Sequence, residues 1–320
     1  MKKVYLRKLG GILGPFLGLL LVLAIFSLMP EISGRFLRLA NFKNVAIQSV
    51  IVALSALGMT LIIISGGIDL SAASNLALSS VLVAYFIQAG FSPWLAALLG
   101  MLSGGLVGFL NGFLITRLRV VPFIVTLGMM GMARGIAKWV ARNQKIDAPL
   151  TWLNNLMARS PRPAWLLLSP GIWLMIILAV VVGLLLRKTV FGRHIFAVGS
   201  NEMTARLCGV RTERVKLAVY TISGLLCGLA GVMEFSRLTV GDPTVAMGLE
   251  LDIIAAVVIG GGSLSGGEGK ISGTLIGVFI MAFLRNGCTM MGWPNYFQEI
   301  IIGAIIITAV ALDRWRHRQE

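Results

Sequence analysis

The stretch VAIQSVIVALSALGMTLIIISGGIDLS, Val45–Ser71, decides the fold. Its first part, Val45–Ile64, contains no charged side chain. A hydrocarbon core about 30 Å thick takes about 20 apolar residues at roughly 1.5 Å each, so this run has the length of one membrane crossing. It ends in SGGIDLS, a glycine-containing turn, and a second apolar run follows at once.

The pattern repeats. Apolar stretches at roughly 9–29, 45–64, 71–90, 94–116, 121–141, 170–187, 214–235, 249–262, 271–291 and 296–312 predict ten spans. Composition agrees: the 320 residues are 57% hydrophobic and 13% charged, with a mean hydropathy of +0.88. Soluble domains carry about 25% charge and about 45–50% apolar residues, so a pair of soluble domains is excluded. The fold class expected is an all-α polytopic membrane protein with about ten transmembrane helices. Its 38 glycines fit close helix approach in lipid. The eighth stretch is short and glycine-ended, which allows a broken or re-entrant helix.

The first stretch follows Lys2, Lys3, Arg7 and Lys8, as a signal peptide would. A signal core runs only about 7–15 residues and ends at a small-residue cleavage site. Leu9–Met29 is longer and runs into Pro30, so it reads as an uncleaved anchor. Ten crossings put both termini on one side. With that side cytoplasmic, seventeen basic residues lie inside and nine outside, and Arg134 and Arg285 fall within spans. This is the usual positive-inside asymmetry, and it accounts for the net charge of +15 without nucleic acid. Lys138–Arg162 is more basic than an outer loop should be. Three cysteines without a CxxC and two histidines, His194 and His317, point to neither a disulfide framework nor a metal site.

GMLSGGLVG (Gly100–Gly108) and GKISGTLIG (Gly269–Gly277) share G-x-x-S-G-x-L-x-G. The first opens the fourth stretch and the second the ninth, so a four-span unit repeated after an odd number of spans is inverted, a common transporter plan. The expected organisation is one permease-like domain over 1–320, with repeats at about 45–141 and 214–312 and a polar segment at 188–213. Two glycine-rich helix starts alike by chance are the bland alternative.

LSGGE, Leu264–Glu268, matches the signature by which ABC ATPases contact nucleotide. The phosphate loop G-x-x-x-x-G-K-[ST] that such an enzyme also needs is absent, because Gly269-Lys270 is followed by Ile271. LSGGE therefore reads as a turn between spans. Asp69 reads either as an intramembrane functional group or, preferably, as a cap of the third stretch. Glu250 and Asp252 read as caps or interfacial charges, and Glu234 with Arg237 as a pair on one helix face. Arg134 and Arg285 either line a polar path or snorkel. Asp69, Asn111, Arg134 and Asn286 are the candidates for a translocation path or for structural polar contacts.

The longest polar stretch is Thr189–Lys216. Ser200 or Asn201, followed by Glu202 and an Ala205–Leu207 patch, predicts a capped short helix that offers one face to a partner. Ala205 and Gly209 are four apart, which puts two small residues on one face for close approach. Glu202 is near enough to pair with a basic residue of the partner, and Arg206 points elsewhere.

Five pieces carry a family resemblance: GMTLIIISGGIDLS (Gly58–Ser71), FIVTLGMMGMARGI (Phe123–Ile136), FGRHIFAVGSNEMTARLCGV (Phe191–Val210), LELDIIAAVVIGGGSLSGGEGKISGTLIGVFI (Leu249–Ile280) and the final span. In this order they resemble the permease subunits of ribose-type ABC importers, which carry monosaccharides and belong to the branched-chain amino acid/sugar permease superfamily. The resemblance implies a bacterial inner-membrane location, a second permease copy or paralogue, a cytoplasmic ABC ATPase and a periplasmic or extracellular sugar-binding protein. It implies that Gly199, Ser200, Asn201, Glu202, Ala205, Arg206 and Gly209 couple the chain to the ATPase. ATP is then used by that partner, and no catalytic residue, metal or cofactor belongs to this chain. Three other readings stand beside it. An ATP-independent secondary transporter or channel needs mid-membrane acids, whereas most acids here lie at span ends. An integral-membrane enzyme needs a DDxxD, an HExxH or a His/Ser/Cys constellation that the sequence lacks. A permease of the same superfamily for another small solute, an autoinducer or a nucleoside, is the nearest variant.

Overall fold

The computed structural model describes residues 2–161 and 166–317. Arg162 and Arg318, counted above among the outer and inner cations, lie outside the described residues. The helices in chain order are α1 (Lys2–Ser27), α2 (Ser33–Phe36), α3 (Leu39–Ile64), α4 (Ala72–Gln88), α5 (Pro93–Leu118), α6 (Pro122–Val140), α7 (Pro170–Lys188), α8 (Val190–Ser200), α9 (Glu202–Leu207), α10 (Thr212–Leu238), α11 (Leu249–Ile259), α12 (Ile271–Met290) and α13 (Asn295–His317). Three of them begin on proline, Pro93, Pro122 and Pro170. Proline lacks an N–H that would go unsatisfied in the first turn, and its fixed φ suits helix entry.

Among the described residues, six helices are long and apolar enough to cross a membrane: α3, α5, α6, α7, α10 and α12. Helix α4 and the apolar parts of α1 and α13 (Gly14–Ser27 and Asn295–Thr308) are shorter. The first part of the deciding stretch, Val45–Ile64, lies in α3, at the centre of the bundle and largely buried. Helices α6 and α7 are peripheral and present leucine, isoleucine and valine outward. The eighth predicted stretch is shorter than 249–262. Helix α11 has 11 residues, roughly 16 Å or half a bilayer core. It stops at Ile259 because Gly260, Gly261 and Gly262 follow, with Gly261 at φ +87°.

Helix α10 packs most extensively on α5 and next on α3 and α4. The reason lies in the glycine pattern. A Cβ at Gly104 would meet the backbone of Gly228 at 2.5 Å, and one at Gly224 would meet Gly108 Cα at 2.8 Å. Small residues at four-residue spacing let the two backbones touch, the packing device of helices that gain nothing from hydrophobic exclusion of lipid. The second copy of the pattern does the same between α11 and α12, where Gly273 faces the Gly260 carbonyl and Gly277 the Ala256 carbonyl.

A two-stranded antiparallel ladder, β1 (Ile146–Asp147) with β2 (Val240–Gly241), caps one end of the bundle. The chain between α6 and α7 is tied down beside it: Ser236 Oγ donates to the Leu153 carbonyl at 2.6 Å and accepts from the Met157 amide at 3.1 Å.

Candidate functional site

At the end of the bundle opposite the ladder, Thr189 caps α8 by accepting the Gly192 amide at 3.0 Å. Asn201, the second of the two predicted caps, starts α9 by accepting the Thr204 amide at 2.9 Å. Gly209 at φ +84° ends it, with the Val210 amide returning to the Ala205 carbonyl; glycine takes this left-handed conformation without a Cβ penalty.

The faces of α9 differ from expectation. Ala205 is buried against this chain's own core, because the short helix must cover the apolar base of α8 and α10. Gly209 is exposed, with nothing within 4 Å of an added Cβ. The two do not form a shared docking face. The outward apolar residues are Met203 and Leu207, 70% and 81% exposed. Glu202 is engaged by Lys216 at 2.6 Å and by Arg206 at 3.6 Å. Arg206 also donates to Thr212 Oγ1 at 3.2 Å. Beside this network a cavity of about 500 Å³ lies between α9, the start of α10 and the Arg119–Pro122 turn.

Gly199 and Ser200 anchor α9 to the bundle. The Gly199 Cα lies against the Ile64 carbonyl at the end of α3, and a Cβ there would also meet the Gly267 amide at 2.7 Å. The Gly267 amide donates to the Ile64 carbonyl at 2.9 Å. Gly266, at φ +84°, would carry a Cβ 2.6 Å from the Gly199 carbonyl and 3.0 Å from Gly66 Cα. LSGGE is therefore a turn, and it interlocks with SGGIDLS and the end of α8 backbone to backbone.

The four candidate path residues do not converge. Asp69, 1% exposed, is not the N-cap of α4; Ser71 occupies that position. Asp69 Oδ1 accepts the Ser71 amide at 2.8 Å and its hydroxyl at 2.6 Å, which closes the turn. Asn111 joins this cluster by donating to Ser71 Oγ at 2.9 Å. Arg134 instead holds the chain after β2, donating to the carbonyls of Pro243 and Val245 at 2.7 Å each. Asn286 accepts from Asn41 at 2.8 Å and ties α12 to α3.

A second constellation was not singled out from sequence. A cavity of about 300 Å³ near the ladder end is bounded by α3, α10, α11 and α12. Two ion pairs line it. Glu234 accepts from Arg237 through both oxygens, at 3.1 and 2.6 Å. Arg285 Nε stands 2.7 Å from Asp252 Oδ2 and forms an ion pair with it. Asp252 is thus not the N-cap of α11, a position Gly248 occupies. Near this end Asp242 accepts the amide and hydroxyl of Thr244 at 2.8 and 2.6 Å and pairs with Lys145 at 3.4 Å. Burial works to raise its pKa, but these partners together hold it below the usual carboxylate range.

The chain matches the family model described as "Branched-chain amino acid transport system / permease component" over residues 41–310. It is 42% identical over 302 residues to the ribose import permease protein RbsC of Bacillus subtilis, covering 94% of this chain and 92% of that protein. To the L-arabinose ABC transporter permease protein AraH of Azospirillum brasilense it is 38% identical over 298 residues, 93% and 87% of the two chains. To the fructose import permease protein FrcC of Rhizobium meliloti it is 34% identical over 303 residues, 93% and 84% of the two chains. No solved structure matches the chain.

Proposed function

The chain belongs to the branched-chain amino acid transport system permease family, and on that premise we propose that it is the membrane permease of a monosaccharide importer driven by a separate cytoplasmic ATPase. The sugar class is supported by relatives named for ribose, arabinose and fructose. The observation that carries the coupling is α9, a short capped helix with Met203 and Leu207 bare, seated on the bundle through Gly199. A push on α9 reaches the end of α3 and the LSGGE turn directly, because no side chain lies between them to yield.

In this reading residues 1–320 form one permease domain in a bacterial inner membrane. The chain crosses ten times, the eighth crossing being the half-length α11 continued by the non-helical segment 260–270 to the Ile64 and Gly199 contacts, with repeats at about 45–141 and 214–312, both termini cytoplasmic and the coupling segment at 188–213. A paired feature supports the inversion. Asp69 binds the amide and hydroxyl of Ser71 at 2.8 and 2.6 Å, and Asp242 binds those of Thr244 at the same distances. The two turns follow α3 and α10, the first helix of each repeat, at opposite ends of the bundle. The partners are the ATPase, which alone uses ATP, a sugar-binding protein on the outer side, and a second copy or paralogue of this chain. No cofactor is assigned to it. Reconstitution with ATPase and binding protein tests the function: uptake of labelled ribose, arabinose or fructose should require ATP. Uptake by this chain alone would favour the ATP-independent transporter.

The native cysteines test the topology. Cys208, just after α9, is exposed, whereas Cys227 and Cys288 are buried. A membrane-impermeant maleimide should leave intact cells unlabelled and label Cys208 in inside-out vesicles. Labelling of Cys208 from outside would reverse the orientation.

A further inference from the structure

We propose that the segment between α6 and α7 is a phospholipid-docking surface lying in the outer membrane interface, with Lys138, Arg142 and Arg159 on anionic headgroups. The inference rests on the orientation given above, which the labelling of Cys208 tests separately. Its starting point is the excess of charge noted in the sequence. Over 138–161 four basic residues stand against one acid, Asp147, on the side that the positive-inside asymmetry should leave poor in cations. The fold absorbs one of the four, because Lys145 pairs with Asp242. Lys138, Arg142 and Arg159 are exposed, and among the described residues no acidic side chain pairs with them.

The same end of the molecule exposes what a loop in water would cover. Trp139 is 79% and Leu150 78% exposed, and Trp94, Trp152 and Leu167 are exposed with them. Trp152 is not loose. Thr151 caps the single turn Trp152–Asn155 by accepting the Leu153 amide at 3.3 Å, and Asn154 accepts the Thr151 amide at 2.8 Å in return. Leu153 is buried beneath that turn, while the Trp152 ring packs on Trp94 with centroids 4.2 Å apart.

The tryptophans fix the depth. Trp94 opens α5 and Trp139 closes α6, both at the ladder end. Leu98, on the Trp94 side of α5, and Ile136, on the Trp139 side of α6, are exposed as well. Each tryptophan therefore ends an outward apolar stripe, the level at which an indole, apolar with one N–H, meets headgroups. Lys138 adjoins Trp139, and Arg142 projects from the turn after α6, which the Asn143 amide closes on the Lys138 carbonyl at 2.8 Å. An acidic soluble protein would answer these cations but leave the indoles and leucines bare. A bilayer surface containing anionic phospholipid answers both.

The test reads depth and charge separately, on the full chain in mixed vesicles of phosphatidylcholine and phosphatidylglycerol. Leu150→Cys in a Cys208→Ser background carries a bimane label, Cys227 and Cys288 being buried; the wild-type chain labelled at Cys208 is the reference. Lipid with a doxyl group near the headgroup should quench the label at position 150, and iodide on both sides should not. At position 208 the reverse should hold. Doxyl-phosphatidylglycerol should quench at 150 more strongly than doxyl-phosphatidylcholine, with an association preference of roughly fivefold per cation engaged. Lys138→Gln/Arg142→Gln/Arg159→Gln should erase that preference, and the comparison of the two lipids with all three cations in place needs no charge variant. Quenching at 150 by iodide alone would put the segment in water and give the surface to a soluble partner. Equal quenching by the two doxyl lipids would remove the anionic headgroup. Either result overturns the proposal and leaves the orientation intact, whereas Cys208 labelled from outside in intact cells would overturn the orientation alone and move the surface to the inner leaflet.

Discussion

Gly199→Val should lower the melting temperature of the purified permease and cut transport at least roughly tenfold. The added Cβ would enter the space of the Ile64 carbonyl and stand 2.7 Å from the Gly267 amide. Both obstacles are backbone, and they are joined to each other by a hydrogen bond of 2.9 Å, so neither can rotate away. Overpacking a filled site typically costs about 1–3 kcal/mol, and here relief requires the end of α3, the LSGGE turn or α8 to move. The useful control is Gly209→Ala. Its Cβ meets nothing within 4 Å, so its cost is confined to the left-handed backbone, about 1–2 kcal/mol at the tip of α9. Thermal melts and uptake on the two variants decide the matter. Equal behaviour would mean that the junction is not a contact on which transport depends.

Replacing Met203 and Leu207 together by aspartate should abolish recovery of the ATPase with the permease, with the melting temperature unchanged. The two side chains are 70% and 81% exposed and lie four residues apart, hence on one side of α9. Little of this chain's own packing depends on them. Covering a large apolar side chain contributes roughly 1.5–3 kcal/mol, so losing two weakens docking by about 100-fold or more. Pull-down of the ATPase at graded salt, beside a melt of the permease, is the measurement. Undiminished recovery would move the docking surface elsewhere, to the cavity rim at Arg119 and Glu213.

Local chemistry made part of this architecture legible in the sequence, and long-range pairing hid the rest. The uncharged run Val45–Ile64 became most of α3 because a chain with no charge over that length has nowhere to go but a helix inside protein or lipid. LSGGE read correctly as a turn, and two positive-φ glycines, Gly266 and Gly267, lie within it. The position of Ala205 was not legible. A six-residue helix is too short for periodicity to say which side faces the bundle, so size was taken for exposure. Nor was the cavity between α3, α10, α11 and α12. Asp252 looked like a helix-start acid, and Arg285 sits on another helix; only the packing of α11 on α12 brings them within 2.7 Å. Asn111 and Arg134 share polarity within apolar runs, yet one closes a turn and the other holds a loop, a difference that depends on neighbours remote in sequence.

The contact of α10 with α5 has a consequence for biosynthesis. The bare glycine face of α5, which ends at Leu118, is covered by a helix that ends at Leu238. Translation at roughly 5–20 residues per second leaves an interval on the order of ten seconds between the two. For that time the first half stands in the membrane with a groove along α5 and the Asn111 amide without its final cover. Insertion is therefore sequential, whereas assembly waits for the late helix to slot in. A ribosome stalled between the two halves would leave an open intermediate, prone to pair with the wrong neighbour and a natural client for a membrane insertase or quality-control protease.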